Sequence, residues 1–248
     1  KAEDPTITII GQTGFSDPSG AYDGKLCLQS FVDRLAKDKK EGSLDALSIH
    51  QYCNWGQPVS ELLDSPVTQL AEMAASVKKQ LSAYPALAQV PVILSEFNTS
   101  DQIKPHDVSV RLENAIWLSQ YLPEFIRAFG TRGSATLWDV MNGGKAIHEE
   151  TGGDHGYLQE EDGPYRYQER ADYWAIKMMT QYWSGPGDAR LHQMMQAEAT
   201  EKKLAVYANQ KPDGSLALWV VNKDPENAYE TTVHLKGIKS IQRMRGWK

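Results

Sequence analysis

PVILSEFNTS, residues 91–100, decides how this chain is read. Val92, Ile93 and Leu94 form an apolar run behind a proline, a composition that suits a buried strand and resists a helix. A strand over 91–95 is the expectation. Glu96 follows it with no turn residue between, so a carboxylate stands directly at the strand's end. An arbitrary glutamate is ordinarily a surface or capping group. The rest of the chain changes those odds.

Working outward, three more runs look alike: TITII at 6–10, closed by Gly11; DALSIH at 45–50; and SATLW at 134–138. Between them lie apolar residues at helical spacing. Residues 25–40 place Leu26, Phe31, Leu35 and Ala36 on one stripe, with a basic end that suits a helix C-terminus. Residues 67–84 do so with Leu70, Met73, Ala74, Val77 and Leu81. Residues 108–129 do so with Leu112, Ala115, Ile116, Leu118, Leu122 and Ile126, and a last helix is expected over 171–183. Strands alternating with helices imply an α/β class with a parallel sheet. Such strands are buried on both sides, so the four runs are expected to be apolar on both faces.

Gly185-Pro186-Gly187 then punctuates the chain and the period changes. Short strands are expected at 204–208, 216–221 and 231–235, with Pro212-Asp213-Gly214 as a hairpin turn. This tail reads as antiparallel. It is too short for a whole sandwich, which takes about seven strands. Two regions follow: 1–185 and 186–248.

Composition narrows the function classes. The 248 residues hold 26 Lys+Arg and 32 Asp+Glu, for a net charge of -6, which argues against a nucleic-acid partner. At 41% hydrophobic the chain builds a core. No apolar run approaches the roughly 20 residues of a membrane span. Residues 1–5 are polar and show no export signal. Two cysteines, Cys27 on a helix and Cys53 in a loop, exclude a disulfide scaffold and a four-cysteine zinc site. Seven Trp and eleven Tyr suit a core, and they equally suit the flat faces of sugars.

In parallel sheets, function collects at the C-terminal ends of strands. Those ends here read Gly11-Gln12, His50-Gln51-Tyr52, Ser95-Glu96-Phe97-Asn98 and Trp138-Asp139. Other signals carry less. Gly11-Gln12-Thr13-Gly14 lacks the Lys-Ser/Thr of a phosphate loop and opens no helix. His148, Glu149, Glu150, Asp154 and His155 read as a polar loop rather than a metal site. Glu160-Glu161-Asp162-Gly163 lacks the spacing of a calcium loop. Met178, Met179 and Trp183 read as core. No metal and no cofactor is called for.

The strings DPTITIIG, LDALSIHQY, PVILSEFNTS and ATLWD, in that order, resemble strands five to eight of the catalytic barrel in the large (β/α)8 clan of retaining glycoside hydrolases. Families thirty-nine, fifty-one, thirty and forty-four are the most similar. The resemblance covers most of the chain. It implies that Glu96 is the catalytic nucleophile, that His50-Gln51-Tyr52 ends the sixth strand, and that Trp138 ends the eighth. The tail is similar to the β-sandwich that follows the barrel in several of these families. One feature departs from the pattern. The clan places its acid/base glutamate after the fourth strand in an Asn-Glu pair, and this sequence contains no Asn-Glu dipeptide. A whole barrel takes about 250 residues, and here four units already reach Trp183. The fold expectation is therefore half of a (β/α)8 barrel followed by a partial antiparallel β-sandwich. The expected partner is the N-terminal half of the same barrel, as a separate chain or as sequence beyond these residues, and that half supplies the acid/base.

The residues themselves suit these roles. An ionised Glu96 attacks an anomeric carbon. Tyr52 donates its hydroxyl to that carboxylate, or packs the barrel mouth. His50 bonds a sugar hydroxyl or Glu96, or is a satisfied structural histidine. Trp138 offers a flat face to a sugar ring, or packs. Asp139 binds sugar hydroxyls or caps the next loop. Asn98 reaches the sugar or, more simply, starts a turn. Asn54 and Trp55 stand where an outer subsite would be. The functional expectation is hydrolysis of O-glycosidic bonds with retention of configuration on a carbohydrate substrate. A non-catalytic carbohydrate-binding module on a partial barrel is the alternative. A doubly wound nucleotide-binding domain comes third, for want of a Gly-rich loop. The function class alone favours a secreted or periplasmic setting.

Overall fold

The computed structural model describes residues 4, 6–12, 21, 22, 25–38, 40–53, 58–99, 108–130, 133–141, 155–159, 164, 166–185 and 193–247. In chain order the first elements are β1 (Ile10–Gln12), the two-residue strands β2 (Ala21–Tyr22) and β3 (Lys25–Leu26), and α1 (Cys27–Lys37). Then come β4 (Ala46–Cys53), α2 (Val59–Leu81), β5 (Val92–Thr99), α3 (Leu112–Phe129), β6 (Ser134–Leu137) and α4 (Ala171–Met178). A π-helical turn, Met179–Ser184, continues α4.

β1, β4, β5 and β6 form one parallel sheet in that order. No strand reverses the order, as one must at the switch point of a doubly wound sheet. A partial (β/α) barrel is therefore the architecture, and the nucleotide-domain reading falls. The helical side of the sheet holds the core. Leu47 and Ile49 of β4 and Val92, Leu94 and Phe97 of β5 meet Leu62, Leu70, Met73 and Val77 of α2 and Trp117, Leu118, Tyr121 and Phe125 of α3. Phe97 stacks on Tyr121 at 5.1 Å between ring centroids, and Tyr121 on Trp117 at 4.3 Å.

The other face of the sheet is mixed rather than apolar throughout, which corrects the expectation for the four runs. By register, Ile10 and Ala46 lie side by side, and the next layer joins Ser48, Ile93 and Ser134. Ser134 and Thr136 are exposed. The expected strand at 6–10 also shifts, to Ile10–Gln12. Upstream of it the Ile9 N–H is taken by the Asp45 carboxylate at 2.8 Å rather than by a neighbouring strand.

Two prolines inside helices each free a carbonyl four residues earlier. Pro66 in α2 frees that of Leu62, and the Ser65 hydroxyl donates to it at 2.7 Å. The helix thereby starts at Val59 instead of at 67. Pro123 in α3 frees the carbonyl of Ser119, and the Trp219 indole N–H donates to it at 2.8 Å.

Trp219 belongs to the antiparallel sheet formed by β7 (Gln193–Met195), β8 (Leu204–Gln210) and β9 (Leu216–Asn222). The Pro212-Asp213-Gly214 turn joins the last two, with Gly214 at φ 84°, where glycine is at ease. Tyr207 of β8 packs with Met179 and Trp183, and Trp219 packs against them. Lys223 reaches Asp64 of α2 at 2.5 Å. The expected strand at 231–235 is not one. Among the described residues none pairs with it, and Val233 and Leu235 stay exposed. Trp219→Phe removes the donor that serves the Ser119 carbonyl. A loss of about 1–2 kcal/mol in denaturant unfolding is expected, and an unchanged midpoint would show that this contact contributes nothing.

Candidate active site

β4 and β5 both run past the point where their apolar runs stop. His50, Tyr52, Glu96 and Asn98 therefore lie inside strands rather than after them, while Trp138 and Asp139 follow β6. Along β4, Leu47, Ile49 and Cys53 belong to the helical core, and Ser48, His50 and Tyr52 alternate with them onto the opposite, inner face. Cys53 is thus a strand residue, not a loop one. Its buried thiol is free of any disulfide and donates to Gln69 Oε1 at 2.8 Å, and burial pushes it up to about 12.

On β5 simple alternation fails. Leu94 and Phe97, three residues apart, both face the helices. A bulge explains this. Ile49 pairs with Leu94, but the next residue, His50, pairs with Glu96, and on the other side Leu94 and Phe97 pair with Ala135 and Leu137. β5 therefore carries one residue more than either neighbour at this point. Ser95 and Glu96 both reach inner-face partners. Ser95 Oγ lies 2.6 Å from Ser48 Oγ, and Glu96 Oε2 accepts from the Tyr52 hydroxyl at 2.9 Å. His50 Nδ1 stands 3.4 Å from the same oxygen. The Glu96 side chain keeps 29% of its surface open.

Burial, and then the hydrogen bond to Glu96, push the Tyr52 phenol far above its ordinary value; the charges of Glu96 and Asp139 add to this. Tyr52 is therefore a fixed proton donor toward Glu96 across the working pH range. Trp138 extends the ladder, its N–H bonded to the Phe97 carbonyl at 3.2 Å, and the residue is 40% exposed. The Trp138–Asp139 peptide bond is cis. The Asp139 carbonyl accepts from the Tyr157 N–H at 3.2 Å. Burial, then the charges of Asp139 and Asp172, raise the Tyr157 phenol.

Asn98 is neither a turn residue nor open to solvent. It sits inside β5, fully buried. Its Nδ2 donates to the Trp138 carbonyl at 2.5 Å and to the His155 carbonyl at 3.3 Å. Its Oδ1 accepts from the Thr99 N–H at 2.8 Å and from Asn114 Nδ2 at 3.0 Å. It thus ties the end of β5 to Trp138, to His155 and to α3. His155, expected in a polar loop, is buried with its ring edge-on to Tyr52 at 5.7 Å. Nothing in its local sequence signals that position. Ser48 and Ser95 did leave a signal, a lone serine inside each of two apolar runs.

The structure brings together Glu96, Tyr52, His50, Asn98 and Trp138, with Asp139 close enough to act electrostatically on Tyr52. Asn54, Trp55, Thr13, Gly14, His148, Glu149, Glu150, Asp154 and residues 160–163 lie outside the described residues. Among the described residues no group of three or more His, Cys, Asp or Glu side chains is arranged to hold a metal ion. Chemically, the arrangement is one partly exposed carboxylate, held by a phenol with an imidazole 3.4 Å away, on a sheet edge that also carries the exposed Trp138.

No protein-family model matches the chain, and no curated protein matches it. Solved structures do. A GH51 arabinofuranosidase from Xanthomonas axonopodis pv. citri is 14% identical with a TM-score of 0.55, over 87% of this chain and 43% of that one. An α-L-arabinofuranosidase from Thermotoga maritima is 16% identical with a TM-score of 0.57, over 91% of this chain and 45% of that one. A glucosidase from Croceicoccus marinus is 17% identical with a TM-score of 0.56, over 88% and 40%. These likenesses show the fold, the partial barrel with its accompanying sheet, and it is a fold that proteins named as glycosidases share. The chain spans less than half the length of each.

Proposed function

We propose that this chain is the nucleophile-bearing part of a retaining glycoside hydrolase. The observation that carries the reading is Glu96: a half-open carboxylate at the C-terminal end of a central strand, held by the Tyr52 hydroxyl at 2.9 Å. Active sites of barrel enzymes sit at that end. The kinship in fold with proteins named as arabinofuranosidases and a glucosidase supports a carbohydrate substrate.

In the first step a Glu96 oxygen bonds to the anomeric carbon as the bond to the leaving oxygen breaks, and an acid protonates that oxygen. In the second, water attacks the same carbon, a base takes the water's proton, and Glu96 leaves as carboxylate. The Tyr52 hydroxyl keeps the nucleophile in line, His50 stands by for a sugar hydroxyl or the carboxylate, and Trp138 offers its face to the sugar ring. Asn98 serves by holding the Trp138 carbonyl rather than by reaching the sugar. Asp139 acts at the same edge. The acid/base comes from the N-terminal half of the barrel, outside these residues. The four-stranded sheet, half of an eight-stranded closure, supports that assignment, as does the length of the matched structures. The experiment is proton NMR of the first-formed sugar, using the polypeptide that carries the whole barrel. Retention of the anomeric configuration is expected, and inversion contradicts the mechanism.

Tyr52→Phe removes one hydrogen bond to a charged group. Such bonds contribute about 1.5–3 kcal/mol, so kcat is expected to fall about ten- to a hundredfold. Steady-state kinetics check this, and an unaltered kcat would show that Glu96 is positioned without Tyr52.

A further inference from the structure

The bulge in β5 is what turns Glu96 inward. Regular alternation from Val92 and Leu94, both in the helical core, would send residue 96 toward the helices with them. One extra residue reverses that parity, so Phe97 takes the core position and Glu96 the inner one. A bulge interrupts the ladder locally, and something must hold it in place. Here the ladder slips between Ile49 and His50, and the Ser95 hydroxyl reaches the Ile49 carbonyl at 3.3 Å. Ser48, buried on the next strand, lies 2.6 Å from Ser95 Oγ. Either hydroxyl can donate in that short bond. Two hydroxyls therefore bridge β4 and β5 at the slip, directly beneath the pair His50 and Glu96. Serine suits the place for two reasons. An aliphatic side chain offers nothing to the Ile49 carbonyl, and a larger polar one would crowd the Ser48 contact.

We propose that Ser95, seated by Ser48, is a positioning residue that pins the β5 bulge and so aims the Glu96 carboxylate; this rests on the reading of Glu96 as nucleophile. In this role Ser95 acts through Glu96 rather than on the substrate. Its effect belongs to the step in which Glu96 bonds to the anomeric carbon, so where that step limits turnover it shows in kcat and not in KM. Misplacement of a reacting group by about 1 Å costs on the order of 10²-fold in rate.

The test compares Ser95→Ala, Ser95→Thr and Glu96→Gln in the polypeptide that carries the whole barrel, using a glycoside whose poor leaving group makes the first step limit turnover, with thermal unfolding of each. The expected result is a kcat lower by about tenfold or more in Ser95→Ala, KM within about twofold, and recovery of most of the rate in Ser95→Thr, which restores the hydroxyl. A smaller loss in Ser95→Ala, a loss shared by KM, or a loss that Ser95→Thr leaves in place overturns the proposal. Thermal unfolding guards against a trivial cause, because a rate that falls only with the melting temperature also counts against it. The two readings fail separately. An inactive Glu96→Gln beside a fully active Ser95→Ala overturns the positioning role alone, whereas an active Glu96→Gln overturns the nucleophile and the positioning role together.

Discussion

Glu96→Gln, in the polypeptide that carries the whole barrel, is expected to lower turnover of an aryl glycoside by about 10³-fold or more while sugar binding stays nearly intact. The amide keeps the volume of the carboxylate. It also keeps one oxygen to accept from the Tyr52 hydroxyl, which now sits 2.9 Å from Glu96 Oε2. It loses the charge, and with it the nucleophile. Binding survives because Trp138 and His50 are untouched. Glu96→Gly is expected to behave differently. It opens a space beside the anomeric carbon that azide or formate enters, restoring part of the rate with an activated substrate. Stopped assays with and without azide, and equilibrium binding of the free sugar, separate these outcomes. Near-normal turnover in Glu96→Gln would return Glu96 to an ordinary polar residue and assign the nucleophile to another group of the barrel.

The second large effect is on stability. Trp117 is fully buried, stacked on Tyr121 at 4.3 Å and 6.4 Å from the Phe97 ring. Trp117→Ala empties the space under the strand that carries Glu96, and a loss of about 3–5 kcal/mol in unfolding free energy is expected. Against a typical total of about 5–15 kcal/mol, that leaves a marginal fold. Trp117→Phe is expected to cost far less. The indole N–H has no hydrogen-bond partner among the described residues, so the smaller ring loses packing and no polar contact. Denaturant titration of both variants checks the order. Equal losses would mean that the cost is not set by the cavity.

Much of this fold is legible in the sequence because its periodicities are strong. The helical stripes of 67–84 and 108–129 have apolar faces that the sheet buries, and the strands between them follow from their apolar runs. The departures have local causes. The helix is expected from residue 67, yet the Ser65 hydroxyl serves the carbonyl that Pro66 frees and the helix extends two turns upstream. His50 and Glu96 read as strand ends because they are polar, yet β4 and β5 run through them, their inner face being polar at that height. Residues 231–235 alternate well enough for a strand, but a strand also needs a neighbour, which a sequence pattern does not reveal.

The site was half legible. Glu96, Tyr52, His50 and Trp138 stand out by type and place, and the structure brings them together. Asn98 was visible as a residue but not as a buried hub, because its four partners come from positions 99, 114, 138 and 155. The bulge left one trace, the three-residue spacing of Leu94 and Phe97, which only means something once both are known to belong to the helical core. His155 left none. It reaches Tyr52 through chain geometry far from either residue in sequence.

The most direct measurement of the central claim is covalent trapping. The polypeptide that carries the whole barrel is incubated with a 2-deoxy-2-fluoro glycoside bearing a good leaving group, which slows the second step more than the first. Intact mass and peptide mapping then locate the adduct. A single glycosyl ester is expected on the peptide containing Glu96, and none in Glu96→Gln. An adduct on another carboxylate, or turnover of the natural glycoside with no adduct at all, would contradict that claim.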